Sequence, residues 1–252
     1  MKKARVISIA NHKGGVGKTT TAASMGAILS IKGFKVLLID LDAQANLTCS
    51  LLSNPELAGG SVYDSFVEGT PLPTYEVRES LYIVPASLQL AQADLQLGSA
   101  LARERLLEEL LQPELEKYDY IIIDCPPSLS LMTLNAITAS DEVLIPLVAE
   151  TLPFKGLTMI TNFVQMVKTK LNQKVSVVGV LITRYEKSNL SKGIEEGLRS
   201  ELGNLVFNTK IRKNITVAQA PLEATNIFEY DKKSNGAADY VSFTEEFLER
   251  GL

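Results

Sequence analysis

Apolar runs alternate with stretches of helical spacing along almost the whole chain. The runs Val6–Ala10, Lys35–Asp40, Leu81–Val84, Tyr120–Asp124, Glu142–Leu147 and Val175–Thr183 read as strands. Several are apolar at consecutive positions, as expected of strands covered on both faces. Between them lie amphipathic segments, Thr19–Gly33, Ser99–Gln112, Ser128–Ser140, Pro153–Leu171 and Leu190–Gly203, which predict helices. Strands alternating with helices imply βαβ units. The predicted fold class is α/β: one domain over residues 1–252, with a mostly parallel twisted sheet flanked by helices on both faces. Such sheets bind ligands at the C-terminal ends of their strands. The chemistry is therefore expected in the loops just after Ala10, Asp40 and Asp124.

Composition narrows the class. Hydrophobic residues make up 46% of the 252 positions, enough for a sizeable core. No apolar run approaches the roughly 18 residues of a membrane span, and the N-terminus lacks the pattern of a secretory signal. A cytoplasmic protein without membrane insertion is expected. Cys49 and Cys125, the two cysteines, form neither a disulfide framework nor a metal-type spacing. The formal charge of −4 argues against a chain coated in positive charge. It leaves room for a local basic patch, and residues 184–233 carry a slight excess of Lys and Arg.

The first strand runs into Asn11-His-Lys-Gly-Gly-Val-Gly-Lys-Thr-Thr20, and a helix follows. Glycines at 14, 15 and 17 let backbone N–H groups turn inward. With the helix N-terminus they make a nest for phosphate oxygens. In such a loop Lys18 reaches the β- and γ-phosphates and the Thr19 hydroxyl binds Mg²⁺. The usual G-x-x-x-x-G-K-[ST] pattern is not met, because His12 stands at its first glycine and a second lysine, Lys13, opens the loop. His12, the only histidine, is read as lining the loop.

Two acidic elements accompany the loop. The second strand ends Leu37-Leu-Ile-Asp40-Leu-Asp42, and side-chain alternation is expected to aim Asp40 and Asp42 the same way. Carboxylates there can order metal-bound water and the attacking water. A later strand, Tyr120-Ile-Ile-Ile-Asp124, ends in an acid and continues Cys125-Pro-Pro127. This is a Walker B pattern, with Asp124 holding Mg²⁺.

Taken together, Lys13–Thr20, Asp40-Leu-Asp42 and Ile123-Asp-Cys-Pro-Pro127 resemble the deviant Walker A P-loop ATPases of the ParA/MinD family, over roughly residues 4 to 240. Ile211-Arg-Lys-Asn214 and Ala218-Gln-Ala-Pro221 fit its ParA branch best. The resemblance implies a P-loop NTPase fold, ATP and Mg²⁺ as cofactors, and hydrolysis of ATP to ADP and phosphate. It implies Lys13, Lys18 and Asp42 as catalytic residues, Lys13 reaching across an ATP-bound homodimer and Asp42 positioning the attacking water. Nucleotide contacts are implied for Lys13, Gly14, Gly15, Val16, Gly17, Lys18, Thr19 and Thr20. On the adenine side they are implied for Thr183, Arg184, Ile211 and Arg212. Metal contacts are implied for Thr19, Asp40 and Asp124. The sequence departs from the family pattern at His12, where Gln is common, and at Ala43 and Ala45, which replace Pro and Gly.

The leading functional expectation is a DNA-segregation ATPase for plasmid or chromosome partition. Its ATP dimer would bind nonspecific DNA through Lys and Arg contacts to phosphate, with Lys187, Lys192, Lys210, Arg212 and Lys213 as candidates. A ParB-like centromere-binding partner would stimulate hydrolysis, and the ATP-bound form would be nucleoid-associated. No helix-turn-helix domain is expected before the phosphate loop. The alternative is a MinD-like ATPase that positions membrane or protein cargo. That branch ends in a basic amphipathic helix, whereas Tyr240–Leu252 carries Glu245, Glu246 and Glu249, which anionic lipid repels. Packing of this segment onto the domain body is expected. A ligase or an iron-protein relative on the same scaffold finds no substrate motif and no cysteines at matching positions.

Overall fold

The computed structural model describes residues 3–52, 59–150, 153–223, 225 and 227–251. Its strands are β1 (Arg5–Ile9), β2 (Val36–Asp40), β3 (Tyr75–Arg78), β4 (Leu81–Val84), β5 (Tyr120–Asp124), β6 (Glu142–Val148) and β7 (Ser176–Thr183). The helices begin with α1 (Lys18–Ile31), α2 (Asn46–Leu51), α3 (Val62–Glu68), α4 (Ala93–Gln96) and α5 (Leu106–Leu111). They continue with α6 (Leu131–Ala139), α7 (Pro153–Lys170), α8 (Asn189–Leu202), α9 (Ile215–Gln219), α10 (Ile227–Asp231) and α11 (Asn235–Arg250).

The strands form one seven-stranded sheet in the order β3-β4-β2-β5-β1-β6-β7. All pairings are parallel except β3 with β4 at the edge. The six expected strands are present within a residue or so of their predicted ends. Consecutive strand residues enter opposite cores, as the pleat requires. In β2, Val36 and Leu38 pack with Met25, Leu29 and Phe243 on the α1 and α11 side, while Leu37 and Ile39 pack with Leu107, Met132 and Val164 on the other. Every residue of β2 and β5 is buried, which is why these runs read as unbroken hydrophobic sequence.

The edge strand β3 and the short helices α2, α3, α4, α9 and α10 lie outside the predicted elements. The helix expected over Ser99–Gln112 is α5 alone. Ala102 has φ +51, which breaks the helical run, and the carbonyl of Arg103 accepts from Asn135 Nδ2 at 2.8 Å. The C-terminal segment does pack on the body, as α11. Its buried face is formed by Tyr240, Phe243 and Phe247, and the acids expected to repel lipid are used internally: Glu245 pairs with Lys32 and Glu246 with Arg250.

Candidate nucleotide site

Register sets the site. Asp40 pairs with Asp124 and Ile9 with Asp124, so the ends of β1, β2 and β5 lie level at one edge of the sheet. The phosphate loop leaves β1 between them. Gly15 and Gly17 have φ +71 and +87, left-handed values that a side chain would resist, and Gly17 precedes α1 directly. Asn11 is buried and bridges two elements: its Nδ2 donates to Pro146 O at 2.7 Å, and its Oδ1 accepts from Lys13 N at 3.1 Å. Lys18 Nζ donates to Lys13 O at 3.0 Å. The backbone of Lys13 is thus held at both its N–H and its carbonyl, while its side chain is exposed. His12 packs against α7, where a Cβ on Gly156 would lie 2.5 Å from His12 Cε1. The glycine at 156 lets α7 approach the loop, which agrees with a lining role for His12.

The two strand-end acids have different surroundings. Asp124 is fully buried, and neither of its carboxylate oxygens has a hydrogen-bond partner. Burial raises its pKa well above the usual carboxylate range and the charge of Asp40 adds to this, while the Thr19 side chain and the Lys18 ammonium oppose it. Burial likewise lowers the pKa of Lys18, against the pull of Asp124. An orphaned buried carboxylate beside a lysine and a threonine hydroxyl is what a hydrated divalent cation would satisfy. Among the described residues no cluster of three or more His, Cys, Asp or Glu could hold a metal unaided. Mg²⁺ takes one or two protein ligands together with substrate phosphates and water.

Asp40 is equally buried but fully engaged. Oδ2 accepts from Thr48 N at 2.9 Å and from Thr48 Oγ1 at 2.8 Å, and Oδ1 accepts from Asp42 N at 3.0 Å. Burial lifts its pKa to about 6, and these donors hold it down from a higher value. Its oxygens organise the loop from Asp42 to Thr48, whereas those of Asp124 have no such partners. Thr48 was not singled out from sequence. Its hydroxyl also accepts from Ala86 N at 3.0 Å, tying α2 to the end of β4. Nor do Asp40 and Asp42 alternate along one strand, because β2 ends at Asp40 and the chain turns there. Asp42 accepts from Gln44 N through Oδ1 at 3.0 Å, which leaves Oδ2 for other partners.

Ala45 explains one departure from the family pattern. It sits before α2 with φ 52, a left-handed position where glycine carries no penalty. Ala45→Gly is expected to stabilise the protein by about 1 kcal/mol. Thermal denaturation should register this as a rise of about 2–4 °C.

On the expected adenine side the structure separates the candidates. Thr183 is buried and its hydroxyl donates to Val16 O at 2.8 Å, so it braces the phosphate loop from behind. Ile211 is a core side chain, and its N–H donates to Ile182 O at 2.9 Å. Neither side chain is free to face a base. Arg184 is exposed, has φ 51, and borders a small cavity with Lys13 and Glu150. An open cleft of about 1030 Å³ is lined by Tyr185, Lys187, Lys192, Lys210, Arg212 and Lys213 among others. The cations there are not equivalent. Lys210 Nζ bonds both oxygens of Glu195 at 2.9 Å, and Arg212 is gripped by Asp239. Lys213 pairs with Glu186 and Lys192 loosely with Glu196, all well exposed, while Lys187 has no carboxylate partner among the described residues. Lys210 and Arg212 are thereby the more firmly held of the five DNA-contact candidates. Of the ParA-like Ala218–Pro221 stretch, the side chains of Ala218 and Pro221 lie outside the described residues.

A parallel sheet carrying a glycine-rich phosphate loop, a buried acid at the end of the neighbouring strand and a second acid beyond β2 defines a Mg²⁺-dependent P-loop ATPase. The sequence profile of the AAA domain family (AAA_31) matches residues 4–177. The sporulation initiation inhibitor protein Soj of Bacillus subtilis is 38% identical over 98% of this chain and 99% of its own length. The chromosome partitioning protein ParA of Myxococcus xanthus is 37% identical over 98% and 88% respectively. A Mycobacterium smegmatis structure described as cobyrinic acid a,c-diamide synthase, with bound ATP analog and magnesium, superposes with a TM-score of 0.85 at 32% identity, covering 98% of this chain and 96% of that one. The chain belongs to the ParA/MinD family of ATPases, in its Soj/ParA chromosome-partitioning branch. Among the described residues no helix is long and apolar enough to cross a membrane.

Proposed function

We propose that this chain is a DNA-segregation ATPase in which ATP joins two copies, the joined form binds duplex DNA without sequence preference, and hydrolysis releases it. Lys18 holds phosphate oxygens, and Thr19 with Asp124 would hold Mg²⁺, which when bound neutralises charge that builds on the phosphates. Asp42 accepts from and orients the attacking water through the oxygen that Gln44 leaves open, and Asp40 with Thr48 fixes the loop that carries it. A ParB-like partner stimulates this step, and the ATP-bound form is held on the nucleoid by DNA contacts drawn from Lys187, Lys192 and Lys213. The whole chain acts as one ATPase domain.

The observation that carries this reading is Lys13. Its main chain is clamped by Asn11 and Lys18, yet its side chain is exposed and pairs with no carboxylate among the described residues. A lysine held so rigidly at its base and left open at its tip is suited to phosphate on another subunit. Lys13→Ala is expected to leave ATP binding by the single chain within a few-fold of the original and to abolish the ATP-dependent pair. Sedimentation with ATP, in a background that cannot hydrolyse it, reads both. A pair that forms equally well without the Lys13 side chain would remove the support for a cross-subunit role.

A further inference from the structure

The segment from Ala86 to Leu107 crosses from one acidic arm of the site to the other. It leaves the end of β4 and reaches α5 through short helical turns, α4 among them. At its start Ala86 N donates to Thr48 Oγ1 at 3.0 Å. At its end it is held by Asn135, a buried residue of α6. Asn135 Nδ2 donates to Arg103 O at 2.8 Å, and Leu107 N donates to Asn135 Oδ1 at 3.1 Å. Thr48 belongs to the stretch that follows Asp40 and Asp42, and α6 is the next helix after Asp124. Between the two anchors Leu90, Ala93 and Leu97 are buried, whereas Leu88, Leu95 and Leu101 are exposed. The segment is thus a strap fixed at its ends by buried polar side chains and thinly packed between them.

The Thr48 end leads into the site through a continuous series of bonds. The Thr48 hydroxyl donates its one proton to Asp40 Oδ2 at 2.8 Å and accepts from Ala86 N on a lone pair. Thr48 N donates to the same Asp40 oxygen at 2.9 Å, and the other Asp40 oxygen accepts from Asp42 N at 3.0 Å. Thr48 and Asp40 are both fully buried, so their bonds are shielded from bulk water. A shift of the strap at Ala86 is therefore passed, through two side chains, to the main chain of Asp42.

We propose that residues 86–107 form a strap that sets the position of Asp42, with Thr48 as the positioning residue and its hydroxyl as the link. The proposal rests on the reading that Asp42 orients the attacking water. None of the bonds in this series involves the phosphate loop. A loosened strap therefore slows hydrolysis and spares ATP binding.

The test measures basal ATP turnover and ATP affinity on the full-length protein with Mg²⁺. Thr48→Val keeps the shape of the side chain and removes both hydroxyl bonds. Its kcat is expected to fall about tenfold to a hundredfold, the effect of a slightly misplaced reacting group, with ATP affinity within a few-fold of the original. Thr48→Ser, which restores the hydroxyl, should recover most of the rate. Asn135→Ala frees the far end of the strap, and Leu97→Ala loosens its middle if the first variant folds poorly. Either is expected to lower kcat alone and to add little to Thr48→Val, because both act through one link. Strap variants with undiminished kcat, or losses that multiply in the double variant, overturn the proposal. So does a parallel fall in ATP affinity and kcat, or a serine variant no faster than the valine one, since these mark general loosening. Asp42→Ala in the same assay separates the proposal from the reading beneath it. Normal turnover there removes the role of Asp42, whereas an inactive Asp42→Ala beside a fully active Thr48→Val removes the strap's role alone.

Discussion

Lys18→Ala is expected to abolish ATP binding while leaving the protein folded. Lys18 lies at the first position of α1, buried, with its ammonium on the carbonyl of Lys13. Among the described residues it forms no ion pair that its loss would break, and burial of its charge is itself unfavourable, as the lowered pKa records. The fold therefore loses little. The ligand loses much: removing one partner of a shielded charge pair costs about 2–5 kcal/mol, roughly a thirtyfold to several-thousandfold drop in affinity. Thermal denaturation separates the two effects. With ATP at about a hundred times its dissociation constant, the original protein gains about 2.7 kcal/mol, or about 5–10 °C for a chain of this length. The variant should melt near the unliganded original and gain almost nothing from ATP. A variant that keeps the shift would show that Lys18 does not hold phosphate.

Asp42→Ala is expected to have the opposite character: ATP binds, and turnover falls about 10²–10⁴-fold, the usual range for loss of a positioned proton acceptor. Asp42 does not support the core. Its N–H serves Asp40, a contact that alanine retains, and its Oδ1 serves Gln44, a turn contact at a half-buried position. What alanine removes is the remaining oxygen. The expected kinetic signature is a fall in kcat with ATP affinity within a few-fold of the original. An equal fall in affinity would move Asp42 from the reacting water to nucleotide binding.

Much of this was legible in the sequence because the informative residues are buried and local. β2 and β5 are covered on both faces, so their runs of Val, Leu and Ile could be read without ambiguity, and each ends at the acid that terminates it. The phosphate loop was equally plain, since its glycines and lysines are contiguous. The less legible parts depend on partners distant in sequence. β3 is a four-residue edge strand, with only intermediate or exposed positions to mark it. Thr48 matters through Asp40 and Ala86, eight and thirty-eight residues away, and nothing in its own neighbourhood signals that. The pairing of the basic residues was hidden for the same reason. Lys210 and Arg212 look like free surface charge until Glu195 and Asp239 are brought beside them. Thr183 and Ile211 are among the expected adenine-side contacts, but their side chains are buried, that of Thr183 bonded to Val16 O.

The docking of α11 bears on the choice between cargoes. A helix free to bind lipid would present its apolar face, whereas Tyr240, Phe243 and Phe247 are committed to the core. Exposed cations lie instead around the cleft of Lys187, Lys192 and Lys213, with Lys213 paired to Glu186 and Lys192 loosely to Glu196. This favours an anionic polymer over a bilayer as the surface that the ATP-bound form meets.

ATP is expected to switch on DNA binding. The measurement that tests it most directly uses the Asp42→Ala protein with duplex DNA of arbitrary sequence, in ATP and in ADP, across a series of salt concentrations. Tight binding in ATP alone, weakening steeply as salt rises, is the predicted result, because contacts to phosphate release counterions. Absence of DNA binding in both nucleotides, from a protein that still forms its ATP-dependent pair, would contradict the claim.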